Sequence, residues 1–143
     1  MTLVLHTSDD KNEGNDFGWT MARVVGENGL MLVTADVEAV DVFVYDETVG
    51  NLAFGSGLIY FTTILSASVM FDSPQRDRRW TLPDEGYNFA HYMSADTAFQ
   101  AVDEIGGHTY RLEYRITTTA TNASGVIFVV RRVRVAPIYS LRA

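Results

Sequence analysis

The sequence predicts an all-β fold, an immunoglobulin-like or related β-sandwich with at most one short helix. Three observations carry this. Apolar and polar residues alternate with period two along several short runs. Those runs are separated by Gly, Asn, Asp and Pro, which favour turns. About eight such runs fit along a chain of 143 residues, the spacing expected of a sandwich or barrel.

Taken in order, the first 18 residues read as a flexible arm, because HTSDDKNEGNDFG is polar, acidic and rich in turn formers. The domain is predicted over 19–143. Its first strand spans Trp19 to Val25 and ends at Gly26-Glu27-Asn28-Gly29, and LMLVT (Leu30 to Thr34) is read as the second. In VDVFVYD, Val40, Val42 and Val44 share one face, and Asp41, Phe43 and Tyr45 share the other. Asn51 to Gly57 reads as a loop and LIYFTTIL as a strand. SASVMFD reads as another strand, with Ala67, Val69 and Phe71 together.

Asp72 to Phe89 is read as the longest irregular connection, and YNFAHYM as a strand in which Tyr87, Phe89 and His91 form the predicted core face. Ser94 to Ile105 is the best helix candidate. Ser94 suits the N-cap, and Ala98, Ala101, Val102 and Ile105 fall on one face. A closing hairpin follows. Tyr110, Leu112, Tyr114 and Ile116 face one way in TYRLEYRITT, and Arg111, Glu113 and Arg115 the other. In VIFVVRRVRVAP the alternation slips at Arg131-Arg132, which predicts a β-bulge or a change of neighbour.

Composition narrows the function. The formal charge of −7 argues against non-specific nucleic-acid binding, which needs a positive field. Lys11 is the only lysine, and the remaining basic residues are arginines, a bias that reads either as a lean towards interfaces or as genomic base composition. The chain has no cysteine, which excludes disulfides, thiol chemistry and cysteine-containing zinc sites. The N-terminus lacks the basic region of a signal peptide, and no apolar run approaches the ~20 residues of a membrane span. Synthesis in a reducing cytoplasm is expected, with no membrane or nucleic-acid partner.

No catalytic constellation, metal site or cofactor site is predicted. His6, His91 and His108 have no metal-ligand or triad spacing, and read as surface or half-buried residues. Gly55-Ser56-Gly57 is a tight turn rather than a phosphate loop. Asp72, Asp77, Asp84 and Glu85 are interleaved with Arg76, Arg78 and Arg79, so an ion-pair network is favoured over a calcium site. Asn122-Ala123-Ser124 is a chance glycosylation match in a turn.

The candidate contact residues fall into three groups. Asp9, Asp10, Glu13 and Asp16 lie in the arm. Arg76, Arg78, Arg79 and Trp80 lie in the long connection, where Trp80 is a candidate exposed anchor. Arg111, Arg115, Arg131, Arg132 and Arg134 form a basic strip on the closing hairpin. One functional reading has the acidic arm crossing to a neighbouring subunit and pairing with such a strip; the alternative is a solvated strand face.

VDVFVYD, SASVMFD, the W-T-x-x-x-x-GYNF segment from Trp80 to Phe89 and the Gly-Gly-x-x-YRLEYRITT segment together resemble small β-sandwich proteins of tailed-phage particles. The resemblance spans roughly Leu32 to Val135 and leaves out the N-terminal arm. It implies a non-enzymatic virion protein that carries no catalytic residues. The expected role is a capsid decoration or cement protein, homo-oligomeric, bound to the major capsid protein or other virion proteins. A tail, neck or baseplate adaptor is the alternative. From a different class comes a carbohydrate-binding sandwich, with Trp80 and Tyr92 stacking on sugars, or a small β-barrel enzyme.

Overall fold

Residues 3–12, 17–26, 29–48, 57–77, 80, 86–94, 107–119 and 125–136 are described by a computed structural model. Within them the alternation of the sequence becomes alternation of burial. β3 (Val37–Asp46) turns Val40, Val42 and Val44 inward with no exposed surface. β7 (Thr109–Thr118) does the same with Tyr110, Leu112, Tyr114 and Ile116. Both pair antiparallel with each other, so their valines and aromatics form one continuous inner face.

Eight strands are present among the described residues. The others are β1 (Leu3–Asn12), β2 (Gly18–Ala22), β4 (Leu58–Ile64), β5 (Met70–Gln75), β6 (Tyr87–Met93) and β8 (Val126–Ala136). They form a five-stranded sheet, β1-β8-β7-β3-β4, and a three-stranded sheet, β2-β6-β5. The chain is an all-β sandwich whose two sheets pack on a shared core. Edge-to-face contacts tie the layers together, Phe89 to Tyr114 at 5.2 Å and Phe17 to Tyr110 at 6.0 Å. Each fully buried Val, Leu or Phe here contributes roughly 1.5–3 kcal/mol relative to exposure.

The closing hairpin forms as expected, as does the strand over YNFAHYM. Other details differ. Leu3–Asn12, expected within a flexible arm, is an edge strand parallel to β8 in unbroken register from Leu3↔Ile127 to Asn12↔Ala136. Its polar composition suits an edge, where a strand needs one hydrogen-bonded neighbour and few buried side chains. The core also starts earlier than Trp19: Phe17 is 1% exposed, and Trp19 faces solvent at 43%.

Leu30 to Thr34 is not a strand. Only Met31 makes a bridge, to Val25, and Thr34–Asp36 is a 3-10 turn. Asn88 explains the detour. Buried in β6, it accepts the Val24 N–H at 2.6 Å and donates to the carbonyls of Val24 at 2.9 Å and Leu32 at 2.7 Å. One side chain thus replaces part of a strand ladder for this loop. Gly29, with φ +79°, closes the turn by donating to Gly26 O at 3.0 Å.

SASVMFD is likewise not one strand. Ser66–Val69 is a single helical turn, α1, and the adjacent residues Val69 and Met70 are both buried while Ala67 is exposed. β5 then pairs with β6 only at Met70↔Phe89 and Gln75↔Tyr87, bulging around Pro74, which has no N–H to give a ladder. The Asp72 carboxylate accepts the Thr34 N–H at 2.8 Å, which holds its pKa below the usual 3.8. The predicted loop at 51–56 and all of the predicted helix beyond Ser94 lie outside the described residues.

Candidate functional site

No slip occurs at Arg131-Arg132. β7 and β8 keep one register throughout, with Leu112↔Arg131 and Arg111↔Arg132. Arg131 therefore takes an inward position in line with Val129 and Val133, and is 7% exposed. The predicted basic strip is split: adjacent strand residues point to opposite faces, so Arg131 enters the core while Arg111, Arg115, Arg132 and Arg134 stay outside.

The inward arginine is held by the N-terminal strand. Its Nη2 donates to Asp9 Oδ2 at 2.8 Å, and its Nε lies 3.2 Å from both Asp9 oxygens. The pairing of an acidic N-terminal residue with a hairpin arginine thus occurs within one chain. Arg131 Nη1 reaches Thr20 Oγ1 at 3.4 Å. Thr20 hydrogen-bonds the Tyr114 hydroxyl, which lies 2.8 Å from His91 Nδ1. A polar chain thus crosses the sandwich, Asp9–Arg131–Thr20–Tyr114–His91, drawing on β1, β8, β2, β7 and β6. Burial pushes the Tyr114 phenol up to about 12, with Thr20 and Arg131 opposing. Burial also lowers the His91 imidazole below 6.5. The chain is structural in form: every member is directed at another member.

His108 is oriented by a buried carboxylate, with Nδ1 2.8 Å from Asp46 Oδ2; Thr48 N–H donates to the other Asp46 oxygen at 3.1 Å. The pair ties the end of β3 to the start of β7. Among the described residues no group of three or more His, Asp or Glu could hold a metal ion.

The outer face of the five-stranded sheet is the most distinctive surface. Strand registers place its side chains in rows: Thr63, Asp41, Arg115, Phe128; then Phe61, Phe43, Glu113, Val130; then Leu58, Tyr45, Arg111, Arg132. The Arg115 guanidinium lies 3.9 Å from the Phe43 ring centroid and that of Arg111 4.3 Å from the Tyr45 ring. Carboxylates fix them in place: Glu113 holds Arg115 at 3.1 Å, and Glu47 holds both Arg111 at 2.9 Å and Arg132 at 3.0 Å. The Nε atoms of Arg111 and Arg115 are buried without a hydrogen-bond partner, a cost met by the ring contact beneath. Phe43 also packs on Phe61 at 4.8 Å, and Phe61 is 52% exposed.

Of the remaining expected contact residues, Trp80 is half-buried against Tyr87 at 5.5 Å rather than an exposed anchor. Arg76 is exposed; Arg78, Arg79, Glu13 and Asp16 lie outside the described residues, and Asp10 is placed only by its register opposite Arg134. Trp19 and Tyr92 form an exposed edge-to-face pair on the other sheet, their rings inclined at 62°, so they offer no shared plane.

Sequence reasoning missed Phe43, Tyr45, Phe61, Phe128 and Glu47 as parts of one surface. The signal was there in the polar-face alternation of β3 and β7, but not the register that brings Arg115 over Phe43. No protein-family model matches this sequence, and neither a curated protein nor a solved structure matches it. No helix is long and apolar enough to cross a membrane among the described residues.

Proposed function

We propose that this chain is a non-catalytic structural protein that acts by binding, and that its place is a tailed-phage particle, as a decoration protein on the major capsid shell. The observation that carries the binding reading is the outer face of β4-β3-β7-β8. Arginine and aromatic side chains are the residues on which binding energy concentrates. Here they are already fixed by stacking and ion pairs, so covering them costs little side-chain entropy. The phage assignment is supported by the motifs resembling virion sandwiches, among them VDVFVYD and YRLEYRITT. The half-buried His91 and the carboxylate-bound His108 both have structural partners, which supports a non-catalytic role.

Quantitative mass spectrometry of purified particles tests the proposal. A copy number equal to the major capsid protein, or a simple fraction of it, is the expected result. A few copies per particle would instead mean a neck or baseplate adaptor. Absence from particles would overturn the virion reading.

A further inference from the structure

We infer that the outer face of the five-stranded sheet is covered by a second copy of this chain, packed face to face about a twofold axis. The inference rests on the reading of this face as a binding surface and assigns it to a second copy, so that a shell meets the dimer through another face. Charge decides the occupant. The face carries Arg111, Arg115, Arg132 and Arg134 against Asp41, Glu47 and Glu113, close to balance, in a chain of formal charge −7. The rest of the surface is therefore strongly acidic and repels another copy.

An acidic partner finds little here, because the guanidinium groups of Arg111, Arg115 and Arg132 are already engaged by Glu47 and Glu113. Burying the face leaves each of Arg111, Arg115 and Arg132 against a carboxylate. A surface bearing both signs in alternating rows is complementary to its own twofold image, as an isologous interface requires. Phe61 at 52% exposed and Leu58 at 43% supply apolar contact beside the arginine rows. Five strands about 4.8 Å apart and about seven residues long give a face of roughly 500 Å² per copy. That is small for a permanent dimer, so association is concentration-dependent.

Sedimentation equilibrium of the full chain from about 5 to 500 μM tests this. The expected result is a monomer–dimer equilibrium in which Phe61→Glu lowers the association constant at least tenfold. Trp19→Glu, on the opposite sheet, leaves it within twofold. Thermal melts of both variants confirm that each exposed substitution keeps the fold. A monomer at every concentration, or a dimer indifferent to Phe61→Glu, overturns the inference. Binding of the chain to capsid shells is measured separately: shell binding by a strict monomer sinks the dimer and spares the function. A Phe61-dependent dimer absent from particles does the reverse.

Discussion

Arg131 stands where the pattern of β8 calls for another valine, and its charge is tolerated because Asp9 reaches it from β1. Removing only the negative charge leaves a cation in the core with neutral acceptors alone, the amide oxygen of Asp9→Asn and the Thr20 hydroxyl. Asp9→Asn is expected to destabilise the fold by about 2 kcal/mol in urea unfolding, the exposed half of Asp9 moderating the loss. Adding Arg131→Met to that background is expected to restore part of it, since the unpaired charge is gone. An equal or larger loss in the double variant would show that the pair is not coupled in this way. His91 and Tyr114 set the pH range. Burial keeps His91 below 6.5, so the unfolded chain takes up a proton more readily and stability falls as pH drops below 6.5. With Tyr114 raised to about 12, the unfolded chain loses its phenolic proton first, and stability falls as pH rises from 10.0 towards 12. That alkaline loss is on the order of 3 kcal/mol. Denaturant midpoints across pH should fall on both sides of a plateau, and His91→Gln should flatten the acid side alone.

The edge strand β1 carries the Asp9 counter-charge and covers β8, while Phe17 behind it plugs the core against Tyr110. Deleting residues 1–12 is expected to lower the thermal midpoint while leaving a cooperative transition. Deleting 1–18 also removes Phe17, worth about 3–5 kcal/mol, and is expected to abolish cooperativity. A second element-level constraint lies at Gly86. A Cβ there would sit 2.6 Å from Pro74 Cβ and 2.8 Å from Gln75 O. The backbone oxygen cannot swing aside, so Gly86→Ala is expected to cost about 1–3 kcal/mol and to speed amide exchange in β5. These elements show what the sequence makes legible. β3 and β7 are readable because each buries one face and alternates accordingly, and β6 and β8 because each is a compact apolar run between turn signals. β1 was not, since a polar edge strand looks like an arm. The 66–69 turn and the Asn88-clamped loop were missed because adjacent buried residues, or one distant amide, override local alternation. The candidate face was half legible: Asp41, Phe43 and Tyr45 were placed together, as were Arg111, Glu113 and Arg115. Their stacking depends on a register between strands about seventy residues apart, which no local pattern encodes.

Across the whole molecule, no hydrogen-bonded strand pairing joins the two sheets among the described residues; side chains couple them. Tyr114 is the central coupling. Its ring meets Phe89 edge to face, and its hydroxyl meets His91 from the three-stranded sheet and Thr20 from the same layer. The three-stranded sheet has a poor β5–β6 ladder and little prospect of holding together alone. The sandwich should therefore open as one unit. Native-state hydrogen exchange is expected to give the same opening free energy for Phe89 in β6 and for Val42 and Leu112 in the larger sheet. Tyr114→Phe keeps the ring but takes from His91 Nδ1 its hydroxyl partner and leaves Thr20 with Arg131 alone, a cost of about 1–3 kcal/mol. Because the coupling is shared, that cost should lower protection in both sheets by the same amount. A drop confined to Phe89 and its neighbours would mean that the smaller sheet opens on its own, and that the polar chain through the core fastens it to the larger one without making the two a single cooperative body.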